Sequence, residues 1–164
     1  MVREVEVPAS ALGLSTLPWV DYRDGFRLDF PDGPELSGEE WAREMLDGAS
    51  AETRRSLRRA WPLLGLKMAP QGAEGAILGW RLRHSGADYA LLGAESRIGM
   101  PAELLFRPEP GGFFFATLIQ QRNPFVHALW APIGPPHRRV VPALMRRAAA
   151  RVAARRAAVC ETSA

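Results

Sequence analysis

Between residues 76 and 132 the chain alternates apolar runs of strand length with turn signals, and this spacing restricts the fold more than any other feature. The runs occupy residues 77–83, 89–95, 102–107, 113–121 and 125–131. Between them lie Ser85-Gly86, Gly99-Met100-Pro101, Pro110-Gly111-Gly112 and Asn123-Pro124. Connections this short join antiparallel neighbours, since a parallel crossover takes about a dozen residues or more. The expectation is a five-strand meander.

An apolar sheet face has to be covered, and one long element is available to cover it. From Pro135-Pro136-His137 onward, Val140, Val141, Leu144, Met145, Ala148, Ala149 and Val152 recur mostly at three- and four-residue spacings. Pro142 should loosen or kink the first turn, after which alanine and arginine, both good helix formers, dominate. The reading is a long amphipathic C-terminal helix with an apolar face and an arginine face.

Upstream, residues 22–30 place Tyr22, Phe26, Leu28 and Phe30 on one parity and Arg23, Arg27 and Asp29 on the other, the pattern of a half-buried strand. Asp24 is the exception on the apolar parity. After the turn residues Pro31-Asp32-Gly33-Pro34, Ser37 and Glu40 have capping-box spacing, with Trp41 and Met45 forming one ridge and Gly48 ending the helix. Ser50 is an N-cap for a second helix, with Leu57, Trp61 and Leu64 on one face and Arg54, Arg55, Arg58 and Arg59 largely on the other. The order is thus strand, two short helices, meander and long helix.

These elements make an α+β fold in which an antiparallel sheet, with the early strand at its edge or beside its final strand, grips the last helix. At 164 residues, 47% hydrophobic and 24% charged, the chain has material for one core and reads as one domain over 1–164. Its folded core would span about residues 20–156, between a short N-terminal arm and a C-terminal tail. The opening residues Met1 to Val7 carry acids and lack the apolar stretch of a signal peptide, which points to the cytoplasm. The lone Cys160 has no partner for an intramolecular disulfide.

Order and lengths resemble the helix-grip (SRPBCC) superfamily, which includes START lipid-binding domains, plant pollen-allergen proteins and bacterial polyketide cyclases. The stretch Asp21-Tyr22-Arg23-Asp24-Gly25-Phe26 and the closing His137-Arg138-Arg139-Val140-Val141-Pro142-Ala143-Leu144 resemble a bacterial branch of it, and the likeness spans roughly residues 20–156. It implies a cavity between sheet and helix that takes a lipid, a polyketide or another apolar ligand. It does not imply catalysis, because binders and enzymes share the fold.

Candidate cavity residues are Trp80, Tyr89, Phe106, Phe115, Leu144 and Met145, within a wider set of strand aromatics that includes Phe113, Phe125 and Trp130. Simple core packing is the plainer reading of any single ring, and the collective case rests on the fold. Phe113-Phe114-Phe115 is apolar on both parities, so alternation leaves the inward side open. Thr117 and Gln121 offer hydrogen bonds to a ligand or mark an exposed strand end. His127, within an apolar run, is the candidate for proton transfer or ligand contact against a plain structural hydrogen bond. Its nearest strand acids are Glu95 and Glu103. His84 reads as solvated beside its turn, and His137 as a cap or a residue on the sheet rim.

No paired-ligand spacing for a metal, phosphate-binding loop, dinucleotide fingerprint or nucleophile elbow occurs in the sequence, so no cofactor is expected. Charge is uneven: residues 138–156 hold seven arginines and no acid. Arg146, Arg147, Arg151, Arg155 and Arg156, with Arg54, Arg55, Arg58 and Arg59 as a second cluster, would suit nucleic acid or an anionic membrane, or form solvated helix faces. Three readings follow: a binding module for an apolar small molecule, a polyketide cyclase-like enzyme using the same cavity, and an interaction domain using the arginine faces.

Overall fold

A computed structural model describes residues 1–162 other than Asp32 and Pro34, with side chains as far as Val159. Thus Asp32 and Pro34 of the expected turn, and the Cys160 thiol, lie outside the described residues. The chain runs β1 (Val2–Val5), α1 (Ala9–Leu12), β2 (Tyr22–Asp29), α2 (Gly38–Met45), α3 (Ala51–Leu63), β3 (Leu66–Lys67), β4 (Ala76–Ile77), β5 (Trp80–Ser85), β6 (Ala90–Ser96), β7 (Ala102–Glu109), β8 (Gly112–Ile119), α4 (Pro124–Trp130) and α5 (Gly134–Thr162). The strands form one open, curved antiparallel sheet in the order β1-β2-β8-β7-β6-β5-β4, with β3 paired to β6. Among the described residues no helix is long and apolar enough to cross a membrane.

β5 to β8 form the expected meander, and β2 closes on β8, pairing Tyr22 with Ile119 and Asp24 with Thr117. Two sequence expectations fail here. The run 77–83 is cut into β4 and β5 by a two-residue turn, Leu78-Gly79, in which both residues have positive φ (47° and 94°). That geometry matches the twist of a hairpin, and Gly79 inside an apparent strand was its signal. Leucine is strained at positive φ, and its N–H is held by Asp47 Oδ1 at 3.0 Å.

The run 125–131 is not a fifth meander strand but helix α4. Asn123 accepts a hydrogen bond from the Val126 N–H at 3.1 Å, and Pro124 takes the first helical position, where its missing N–H costs nothing. Val126 and Trp130, four apart, supply its buried ridge. The Asn-Pro pair read as a turn is the start of a helix.

Helices α2 and α5 cover the inner sheet face. The capping box of α2 is present, with Ser37 N–H donating to Glu40 Oε2 at 2.7 Å and Glu40 N–H to Ser37 Oγ at 3.3 Å. α5 presents Val141, Leu144, Met145, Ala148 and Val152 to Phe26, Leu104, Phe106, Phe113, Phe115 and Ile119. Val140, expected on that face, is half in solvent.

The outer face is also dry, which the sequence reading did not foresee. The N-terminal segment crosses it, packing Val7, Ala11, Leu12, Leu14 and Leu17 on Leu91, Leu105, Phe114, Ala116 and Leu118. This explains the uninterrupted apolar text of β8: Phe113, Phe115 and Thr117 face α5, whereas Phe114, Ala116 and Leu118 face the arm. Glu103 anchors the arm, accepting from Ser15 Oγ (2.5 Å), Thr16 Oγ1 (2.5 Å), Thr16 N–H (3.1 Å) and Arg83 (2.7 Å) while fully buried. Arg83 lies flat over Gly93 to reach both Glu103 and Glu95, a path that any side chain at Gly93 would block.

Candidate functional site

Between the inner sheet face, α3 and α5 lies a cavity of about 90 Å³. Trp80, Leu104, Phe115 and Thr117 of the sheet form one wall, and Trp130, His137, Val141 and Leu144 form another. Leu57, Trp61 and Leu64 close it from α3, with the Trp61 ring edge-on to Trp80 at 5.4 Å. α3 has no fully buried residue, so this third wall is the most weakly anchored.

One cluster of polar groups meets this apolar wall. Asp24 and Thr117 face each other across the β2–β8 pair, and Tyr22 shares the face of Asp24 because strand side chains alternate. His137, in the first turn of α5, reaches both: its Nε2 lies 3.0 Å from Thr117 Oγ1 and 3.3 Å from Asp24 Oδ2. The Tyr22 hydroxyl donates to the same carboxylate oxygen at 2.6 Å. Trp130 fits between them, edge-on to Tyr22 at 5.0 Å and to His137 at 5.4 Å.

Electrostatics fix the state of the carboxylate. Burial alone would raise the Asp24 pKa, but the hydrogen bond and charge of His137, with hydrogen bonds from Tyr22 and Thr117, together outweigh it and hold the group below the ordinary aspartate value. Tyr22 is pushed well above its ordinary value by burial and by the adjacent Asp24 charge, so it stays a donor. With His137 Nε2 engaged by Thr117 and Asp24, Nδ1 has no hydrogen-bond partner among the described residues. Three buried polar atoms around this region also lack a partner among the described residues: Asp24 Oδ1 and the indole nitrogens of Trp80 and Trp130.

Of the residues expected at the site, Trp80, Phe115, Thr117 and Leu144 line the cavity. Phe106 and Met145 are buried behind it in the core, Phe106 packing on Phe113 and Phe115. The others lie away from it. Tyr89 belongs to the outer-face cluster and stacks on His84 at 4.1 Å. Gln121 lies past the end of β8, its backbone N–H donating to Asp21 at 2.6 Å. His127 is exposed on α4, because the run that carries it is helical and its inward positions are Val126 and Trp130. Glu95 and Glu103 sit on the outer side, joined through Arg83, so neither meets a histidine of the cavity.

The histidine that reaches the cavity is His137, read from the sequence only as a cap or rim residue. Asp24 had a readable signal, a carboxylate breaking an apolar parity, but its partner was 113 positions away on another element. Among the described residues no group of three or more His, Cys, Asp or Glu is placed to hold a metal ion. On α5, Arg151 donates to the Glu44 carbonyl oxygen and Arg155 pairs with the Glu44 carboxylate at 2.5 Å, so part of the arginine face ties α5 to α2. Compared with known proteins, the chain matches no family model, no curated protein and no solved structure.

Proposed function

We propose that the chain is a helix-grip-type binding protein for an apolar small molecule that carries hydrogen-bond acceptors, held between the sheet and α5. The observation that carries this reading is the unpaired state of the Trp80 and Trp130 indole N–H groups, both on residues lining one apolar cavity. Buried polar groups in folded proteins are paired in roughly 90% of cases or more. Two orphan donors on residues of one cavity support a ligand carbonyl, ether or hydroxyl that reaches them as the cavity widens, while burial of its apolar part supplies most of the affinity. Thr117 and His137 add orientation.

Size sets a condition on this reading. Drug-sized ligands occupy roughly 300–1,000 Å³, and a cavity of about 150 Å³ accommodates benzene. At about 90 Å³ the cavity is smaller than either, so a lipid- or polyketide-sized guest requires α3 to move outward and carry Leu57, Trp61 and Leu64 with it. The test is native mass spectrometry of the purified protein, with extraction and identification of any carried molecule, followed by titration with 2-decanone and with decane. Binding of the ketone at least tenfold tighter than the alkane, with the preference reduced in W80F or W130F, is the expected result. No binding of either would count against it.

A second reading is proton transfer on the bound molecule, favoured by His137 standing within hydrogen-bond distance of an ionised Asp24 at the cavity wall. In that reading Nδ1 of His137 exchanges the proton and Asp24 stabilises the imidazolium. H137N would then retain ligand binding and lose turnover, whereas under pure binding the variant would change affinity alone.

A further inference from the structure

On the far side of α3 from the cavity, an open groove of about 950 Å³ runs between that helix and the segment 70–79. Its helical wall carries Arg54, Arg55, Arg58 and Arg59, at spacings that put Arg54 above Arg58 and Arg55 above Arg59. Each of these pairs sets like charges one turn apart, about 6 Å along the axis. Such pairs weaken a helix, and α3 has only the partly buried Leu57 and Trp61 to offset the repulsion.

The pairing of arginines elsewhere sharpens the contrast. Arg3, Arg27, Arg43, Arg83, Arg107, Arg138 and Arg155 each meet a carboxylate, whereas Arg23, Arg81, Arg97, Arg139, Arg146 and Arg147 have no side-chain partner among the described residues but are not gathered along one groove wall. Arg54 is spent on the backbone oxygens of Asp47 and Ala49. Arg55, Arg58 and Arg59 have no hydrogen-bond or ion-pair partner among the described residues. Of the two carboxylates lining the groove, Asp47 is already engaged by the Leu78 N–H and by Arg43, which leaves only Glu74 on the opposing segment.

We infer that this groove binds a phosphorylated small molecule, with Arg55, Arg58 and Arg59 holding its phosphate oxygens. Guanidinium groups bind phosphate through paired, charge-assisted hydrogen bonds, and a bound anion would relieve the repulsion along α3. A walled groove of this volume suits a compact ligand better than a duplex, whose charge is spread along its length. The groove shares α3 with the apolar cavity but none of its lining residues, so its binding is tested separately.

Calorimetric titration of the intact chain with inorganic pyrophosphate and with a single-stranded oligonucleotide, at low and high salt, tests the inference. Saturable one-site binding of pyrophosphate is expected, weakened about 100-fold or more in R55Q/R58Q/R59Q and unchanged in R146Q/R147Q. The triple variant should melt no lower than wild type without ligand, since it removes like-charge contacts, so a loss of binding cannot be assigned to unfolding. Equal weakening in R146Q/R147Q would mean diffuse attraction and overturn the site. Binding of the oligonucleotide without pyrophosphate would overturn it in favour of a nucleic-acid surface, and absence of saturable binding by either would also overturn it.

Discussion

Asp24 is a charged group in an apolar strand face, and its cost is met by three donors from two other positions on the sheet and one on α5. Its folded pKa is depressed, so the stabilisation it provides is complete above the ordinary value of 3.8 and is lost as pH falls through the lower folded value. D24N should therefore lower stability by about 2 kcal/mol near neutral pH, and the gap from wild type should close below that value. Urea denaturation at a series of pH values measures both. Asp24 and Thr117 were visible in the sequence as polar residues at odds with their neighbours. That they meet was not, because side chains on separate strands and a helix are matched by register, which no single segment specifies. On the outer face, E103Q leaves Arg83 and two hydroxyls facing a neutral amide, and should cost about 3 kcal/mol in the same assay.

Among the helices, α3 is set apart by carrying no fully buried side chain while closing the cavity with Leu57, Trp61 and its C-cap Leu64. Its amides should exchange with solvent about 100-fold faster than those on the inner face of α5 around Met145, and a cavity ligand should slow them selectively. Hydrogen exchange followed by mass spectrometry reads this directly. Capping explains which elements the sequence revealed. Ser37 with Glu40, and Ser50, announce α2 and α3 by local chemistry and were legible. Asn123 is an equally good cap for α4, but an apolar run of seven residues fits a buried strand as well as a helix, and Pro124 reads as a breaker until it is placed at the first helical position. N123A should accordingly loosen α4 at a cost of about 1 kcal/mol in thermal or urea melting.

At the scale of the molecule, the sheet is sandwiched between α2 and α5 on one side and the N-terminal arm on the other. The meander and its covering helix were readable because each rests on local periodicity; the arm was not, because short apolar residues spread over 7–20 form no periodic pattern. Placing a charge under the arm, as in A11D, should unseat it and expose Phe114 and Leu118, seen as dye binding by a still helical protein and as self-association on gel filtration. The pairing of β2 with β8 has a further consequence in time. The Asp21 carboxylate receives the Gln121 N–H from 100 positions later in the chain. At a synthesis rate of about 5–20 residues per second, β2, paired until then with β1 alone, waits on the order of 5–20 s before β8 exists. During that wait the apolar side of Phe26 and Leu28 has only the β1–β2 pair behind it and no α5 to cover it, which places closure of the sheet late in folding.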